Sequence, residues 1–370
     1  MFLIKTQRDN LLAPLQSVSG IVEKRHALPI LSNVLLEKQG DSLTFLATDI
    51  EIQISTTTKT ESVEADGSVT VNARKLLNIL RTLPEKADVN LNLDDKKLLI
   101  HSGRSRFNLQ TLPAGDFPRM AITDSKFAKF IITQKLFKHL LSQTQFAMAA
   151  NDVRYYLNGL LLIIEGNELR AVATDGHRLA YACMTLESEE SFSRKELILP
   201  RKTVLELNRL LVDSEDPVSV ELTSNQILFQ FGNVELASKL IDGKFPDYGR
   251  VIPTSLKNSV QLNHSTFYQS LVRVAILTNE KFKGIRIVLS SGTLKILAVN
   301  AEQEEAHEEI EVNYEGDAID VGFNVNYLLD VLSSTSAEEI EWGFVDSNSS
   351  ALFTLPGNDQ FKYVVMPMRI

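Results

Sequence analysis

Along the chain, short runs in which apolar and polar residues alternate are separated by longer stretches whose apolar positions return every three or four residues. The first pattern predicts strands with one buried face, and the second predicts amphipathic helices. Three of the alternating runs match one another: "LTFLATDIEI" (43–52), "LRAVATDGHR" (169–178) and "LKILAVNAEQ" (294–303). Each leads into A-x-D or A-x-N, and they recur about every 125 residues. A strand and a turn precede each of them, in "NVLLEKQGDS", "GLLLIIEGNE" and "IRIVLSSGT".

Helical periodicity lies ahead of these pairs in "QRDNLLAPLQSVSGIV", "TQKLFKHLLSQTQFAMA" and "NHSTFYQSLVRVAILT", and follows them in "NARKLLNILRTLP", "PRKTVLELNRLLV" and "NVNYLLDVLSS". Strand pairs such as "VSVELTSNQILFQFG" and "FVDSNSSALFTLPG" close the blocks. The expectation is an α+β protein of three similar domains, each with two helices on antiparallel sheets and roughly eight strands. Polar interruptions at "TDSKFAK" (123–129) and "IPTSLKN" (252–258) set the expected domains at 1–125, 126–253 and 254–370.

Composition changes this picture in two places. The single cysteine, Cys183, cannot form an internal disulfide, and no signal-like or membrane-length apolar run occurs, so a cytoplasmic protein is expected. A net charge of −9 argues against an ordinary nucleic-acid binder, but the three thirds carry 0, −1 and −8. Nearly all the acid excess therefore falls in the last third.

Chemistry is sparse. No phosphate-cradling glycine loop, nucleophile elbow, or His/Cys spacing for a metal occurs, so no cofactor and no metal are expected. The one catalytic candidate is Asp175 with His177, where a carboxylate could orient an imidazole. The repeat weakens it: Asp49 and Asn300 occupy the position of Asp175, as recurring turn residues, whereas Glu51 and Glu302 stand where His177 does. Gly176, His177 and Arg178 thus look like a site grafted onto one copy of a repeated scaffold. A hydrolase using Asp175 and His177, and a purely structural repeat protein, are the alternatives.

The segments "DVRYYLNGLL", "VATDGHRLA", "SKLIDGKFPDY", "AILTNEKFKGIR", "GFNVNYLLDVL", "GRSRFNLQTLPAGDFP", "LPIL" and "YVVMPMRI" resemble motifs of the bacterial sliding-clamp family, the beta subunits of the replicative DNA polymerase. The resemblance runs from end to end. It implies a non-enzymatic, head-to-tail homodimeric ring, with helices inside and sheets outside, that encircles duplex DNA without reading sequence. Twelve helices about 9 Å apart close a circle of axes roughly 35 Å across, leaving an opening of about 24 Å.

Further implications of the resemblance attach to residues. DNA-facing positions are matched by Arg25, Arg74, Tyr155, Tyr156, Arg201 and Lys202. A groove for a short peptide carrying glutamine, leucine and phenylalanine is matched by Leu157, Thr174, Gly176, His177, Arg178, Leu179, Pro246, Arg250, Val251, Asn324, Tyr327, Val364, Met366, Pro367, Met368 and Arg369. At the dimer interface, basic Lys75, Lys97, Arg104 and Arg106 would meet acidic Glu302, Glu304, Glu305 and Glu308 of the partner, around an apolar centre of Phe107 and Leu109 against Ile276 and Leu277. Asn151, His307 and Asn348 depart from the residue types expected at their positions. The implied partners are duplex DNA, the polymerase alpha subunit, the clamp loader, other polymerases, mismatch-repair proteins and ligase, with no membrane.

Overall fold

The computed structural model describes residues 3–23, 28–60, 66–122, 128–187 and 191–369. Its first third runs β1 (Leu3–Gln7), α1 (Arg8–Ser19), β2 (Asn33–Gln39), β3 (Ser42–Thr48), β4 (Ile52–Lys59), β5 (Gly67–Asn72), α2 (Ala73–Thr82), β6 (Asp88–Asp94), β7 (Lys97–Ser102) and β8 (Ser105–Leu112). The middle third repeats the order with β9 (Ala128–Thr133), α3 (Gln134–Ser142), β10 (Gly159–Gly166), β11 (Glu168–Thr174), β12 (Arg178–Thr185), β13 (Phe192–Pro200), α4 (Arg201–Leu210), β14 (Pro217–Leu222), β15 (Gln226–Phe231) and β16 (Val234–Lys239). In the last third come β17 (Asn258–Asn263), α5 (His264–Ala275), β18 (Gly284–Ser290), β19 (Thr293–Val299), β20 (Glu305–Glu311), β21 (Ile319–Asn324), α6 (Val325–Ser333), β22 (Glu339–Phe344), β23 (Ala351–Leu355) and β24 (Asn358–Val365). All six helices and all strand pairings among the described residues fit an antiparallel α+β protein of three clamp-like repeats.

Local chemistry starts the helices where the strands stop. Asn72, Asn263 and Asn324 each end a strand and accept a backbone N–H from the first turn of α2, α5 and α6 respectively. One face of each helix is then buried: Leu76, Leu77 and Leu80 in α2, Phe267, Leu271 and Val274 in α5, Leu328, Val331 and Leu332 in α6.

Repeats and compact units do not coincide. One unit comprises residues 1–136 and 205–240; the other comprises 137–204 and 241–370. The reason is backbone pairing that crosses from one repeat to the next. In the first unit β4 pairs with β16, from Ile52 opposite Ser238 to Thr56 opposite Val234, inside a twelve-stranded sheet. In the second unit β12 pairs with β24, from Arg178 opposite Val365 to Ala182 opposite Phe361, inside an eight-stranded sheet. The middle repeat thereby gives one half-sheet to each neighbour. The remaining sheet, β20-β19-β18-β21, belongs to the last repeat alone.

The repeated A-x-D/N motif has a common physical basis. Asp49 Oδ1 accepts the N–H groups of Glu51 and Ile52, Asp175 Oδ1 those of His177 and Arg178, and Asn300 Oδ1 that of Glu304. Thr48 and Thr174 add the same second pair of bonds, their hydroxyls donating to Ile52 O and Arg178 O and accepting from the N–H of Ile50 and Gly176. In these two copies the residue after the aspartate takes a positive φ. Gly176 adopts +91° freely, but Ile50 is held at +81°, where a β-branched side chain is strained. Because Ile50 is 41% exposed, little apolar burial offsets that strain. Replacing Ile50 with Gly should therefore stabilise the protein by about 0.5–1 kcal/mol in urea unfolding, the relief of strain exceeding the extra chain entropy. A loss of stability would contradict this reading of the turn.

Candidate functional site

The site predicted around residues 174–179 lies where β12 meets β24. Leu179 faces Val364 across that ladder, both buried. They share one apolar cluster with Leu157, Val172, Phe245 and Leu352, flanked by Tyr156, Tyr181, Tyr248 and Ile252. The backbone then fixes the rim. Met366 N–H donates to His177 O at 2.9 Å, and Met368 N–H donates to Gly322 O at 2.9 Å, tying the chain's last residues to the β11–β12 turn and to β21. Gly176, His177, Pro246, Arg250, Val251, Met366 and Arg369 are exposed around this floor, while Thr174, Asn324, Tyr327, Pro367 and Met368 are half-buried. An apolar floor with exposed residues around it suits a short peptide.

Arg178 departs from the expectation of a groove wall. Its side chain is only 10% exposed and turns inward, because the groups that satisfy it lie behind the groove. Its guanidinium donates to Asp175 Oδ2 at 3.1 Å, Asp330 Oδ2 at 2.5 Å and Phe146 O at 2.6 Å, and lies 4.4 Å from the centre of the Tyr327 ring. Burial works against its charge, but Tyr363 and Asp330 more than offset this and raise its pKa. Tyr363, whose phenol burial pushes up in pKa, donates to Tyr327 O at 3.0 Å. Arg178 thus braces Tyr327 of the last repeat against the turn of the middle repeat.

A second arginine, not anticipated from the sequence, shields the turn from outside. Arg154 bonds Asp152 at 2.8 Å and Asp175 O at 3.2 Å, and its guanidinium would stand 3.0 Å from a Cβ placed on Gly176. The Arg154 hydrogen bond holds the Asp152 carboxyl down at about 2. Gly176 is therefore favoured by its φ, and a Cβ there would also press on the end of the Arg154 side chain. The spacing of Asp152 and Arg154 within "DVRYYLNGLL" was visible beforehand, and Asp330 lies one helical turn after Tyr327, but nothing nearby signals Phe146.

These bonds also bear on the catalytic alternative. One oxygen of Asp175 takes the two backbone N–H groups and the other takes Arg178, so the carboxylate grips the His177 backbone and not its imidazole. Among the described residues no group of three His, Cys, Asp or Glu side chains could hold a metal ion.

The other predicted positions fall as follows. Arg74 lies in the first turn of α2 and donates to Val22 O at 3.3 Å; Arg201 begins α4 and donates to Met148 O at 3.1 Å, with Lys202 beside it. Tyr155 is 57% exposed, with Tyr156 edge-on at 5.7 Å, and Arg25 lies outside the described residues. Lys75, Lys97, Arg104 and Arg106 are exposed, with Phe107 and Leu109 half-buried on β8. Ile276 is 75% exposed just beyond α5, next to half-buried Leu277. Glu302, Glu304 and Glu305 are exposed, whereas Glu308 is already held by Arg273 of its own chain at 2.6 Å and 2.8 Å.

Comparison with known proteins covers the whole chain. Models of the N-terminal, central and C-terminal domains of the DNA polymerase III beta subunit match residues 1–121, 131–247 and 249–369. The chain is 48% identical to the beta sliding clamp of Pseudomonas putida and 43% identical to that of Escherichia coli, in each case over 98% of this chain and 99% of the relative. A crystal structure of the DNA polymerase III beta subunit of Pseudomonas aeruginosa superposes with a TM-score of 0.94 at 45% identity, covering 100% of both chains. Another, of the sliding clamp from that organism bound to griselimycin, gives 0.94 at 46% identity, covering 100% of this chain and 99% of that one.

Replacing Arg178 with Met should cost about 2–4 kcal/mol in urea unfolding, since it strands the Asp330 and Asp175 carboxylates beside a half-buried site. A change below about 0.5 kcal/mol would contradict the bracing role.

Proposed function

The chain belongs to the DNA polymerase III beta subunit family, the sliding clamps, and on that premise we propose how its parts divide the work. A sliding clamp is not an enzyme; it encircles duplex DNA and tethers replication proteins, conferring processivity. The three domains are assigned to 1–125, 126–253 and 254–370.

Ring closure follows from strand pairing. The fourth strand of one repeat pairs with the eighth of the next, as β4 with β16 and β12 with β24. Continuing the series leaves β20, the fourth strand of the last repeat, and β8, the eighth of the first. Among the described residues β20 pairs only with β19, and β8 carries pairing on its second side only at Thr111 and Leu112. Two open edges of this kind, one bearing Arg106 with Arg104 just before it and the other bearing Glu305, complement each other between copies, with Glu308, already paired to Arg273 of its own chain, adding to the acidic edge. A head-to-tail homodimer satisfies both edges of both chains. Phe107 and Leu109 against Ile276 and Leu277 supply its apolar centre, with Lys75, Lys97, Glu302 and Glu304 at the rim; exposed ion pairs add little each. This unfinished series of strand pairs is the observation that carries the ring.

Arg25, Arg74, Tyr155, Tyr156, Arg201 and Lys202 are assigned to the DNA path, where a few phosphate contacts and no base readout leave the ring free to move. The groove over Leu157, Leu179 and Val364 takes client peptides, with Thr174, Gly176, His177, Pro246, Arg250, Val251, Asn324, Tyr327, Met366, Pro367, Met368 and Arg369 around it and Arg178 as its brace. Its clients would be the polymerase alpha subunit, the clamp loader, other polymerases, mismatch-repair proteins and ligase. Work on chromosomal DNA assigns the protein to the cytoplasm; among the described residues no helix is long and apolar enough to cross a membrane.

Two measurements check this division. Removing residues 366–370 should abolish binding to the polymerase alpha subunit and leave sedimentation as a dimer unchanged; retained affinity would refute the groove assignment. Reversing both Arg104 and Arg106 to Glu should yield monomers at micromolar concentration with peptide binding intact, and a stable dimer would refute the edge pairing.

A further inference from the structure

The groove floor does not end at Leu179 and Val364. Side chains two positions along a strand point to the same face, so Tyr181 and Lys362, themselves directly opposed across β12 and β24, continue that face by about 7 Å. Here the sheet and the segment after Tyr248 enclose an open depression of about 620 Å³, whose lining includes Tyr181, Tyr248, Ile252, Leu352 and Lys362, with Asp359 as its carboxylate. The same apolar cluster underlies both regions: Leu157, Leu179 and Val364 belong to it, and Tyr181, Tyr248 and Ile252 pack on it.

Two features give this trough a chemistry. The Tyr181 and Tyr248 rings lie 6.1 Å apart at 31°, presenting an aromatic surface. Lys362 Nζ stands 5.9 Å from the centre of the Tyr181 ring, and among the described residues no carboxylate lies within ion-pair distance of it. The neighbouring cation is different. Arg170 is taken by Glu165 at 3.0 Å and by Glu168 at 2.5 Å. Lys362 is therefore the trough's available positive charge.

The equivalent strand junction of the other unit serves as an internal comparison. Counting from the shared turn, Ser55 stands in the place of Tyr181, and its cross-strand partner is Glu235 in the place of Lys362. The scaffold does not demand an aromatic residue and a cation there. They occur at the junction that carries the groove.

We propose that this trough is a second subsite of the peptide groove, occupied by the residues flanking the client's binding motif, and that it selects an apolar side chain followed or preceded by a carboxylate. The proposal rests on the reading of the groove as the client site. Every strand in this floor is paired on both sides, so recognition is by side chains and not by an added strand. Two extended residues span the step from Leu179 to Tyr181. An apolar side chain then covers the tyrosine pair, and the carboxylate meets Lys362.

Fluorescence polarisation on the full-length protein tests this with three labelled peptides: a pentapeptide carrying glutamine, leucine and phenylalanine, and the same peptide with Asp-Leu added before it or Leu-Asp added after it. One extended peptide should bind about ten-fold tighter than the pentapeptide, with part of the gain lost at high salt. Lys362→Glu should remove the gain while leaving the pentapeptide within two-fold of its original affinity; Lys362→Ala, which adds no repulsion, should remove part of it. Equal binding of all three peptides, or a gain that survives Lys362→Glu, overturns the subsite. Failure of the pentapeptide itself to bind overturns instead the client-groove reading on which the subsite rests.

Discussion

Backbone pairing between β12 and β24 is the constraint from which the site follows. It joins Arg178–Ala182 to Phe361–Val365, and with that register fixed, Leu179 must lie beside Val364 and the chain's final residues must pass the β11–β12 turn. A one-residue slip of β24 against β12 would turn Val364 away from the floor and bring the opposite face of β24 onto it. The side chains of the groove are therefore positioned by a ladder of main-chain hydrogen bonds, which tolerates change at the rim without loss of geometry. That property suits the proposed client groove, as do the adaptable Met366 and Met368.

Electrostatics refine what the ladder sets. Arg178 is buried where an unpaired cation could not persist, and its partners come from a turn, a loop and a helix: Asp175, Phe146 and Asp330. Because these belong to two repeats, the charge network holds both sides of the groove together. Arg154 closes the same turn from outside through Asp175 O. The middle repeat has glycine at 176 beside this guanidinium, whereas the first repeat carries the strained Ile50 at the equivalent position.

Much of this was legible in the chain, for reasons that can be stated locally. Strand alternation, helical periodicity and the asparagines at 72, 263 and 324 depend on neighbours a few residues away, so they mark the elements directly. Asp49, Asp175 and Asn300 read as turn residues for the same reason. What could not be read was pairing at long range. Nothing in "GHRLAYA" indicates that its strand will pair with residues 361–365, and so nothing there indicates that Arg178 will be buried. Nor does the acidic run around Glu308 show that Arg273 of the same chain will pair with it, because the fold alone brings the two together. The resemblance to a family supplied candidate groove residues that periodicity could not; among these, Arg178 turns inward onto Asp175, Phe146 and Asp330.

The same pairing rule that builds the groove leaves β8 and β20 open, so that client binding and ring closure are two outcomes of one repeated design. A ring closed in this way holds DNA by enclosure, with little demand for tight contacts. Its most direct test is retention on DNA of different topology. Protein assembled around a nicked circular duplex should stay with it through gel filtration at high salt and be lost once the circle is cut to a linear molecule. Equal retention on circular and linear DNA, or release from both as salt rises, would contradict enclosure and return the protein to the class of ordinary electrostatic binders.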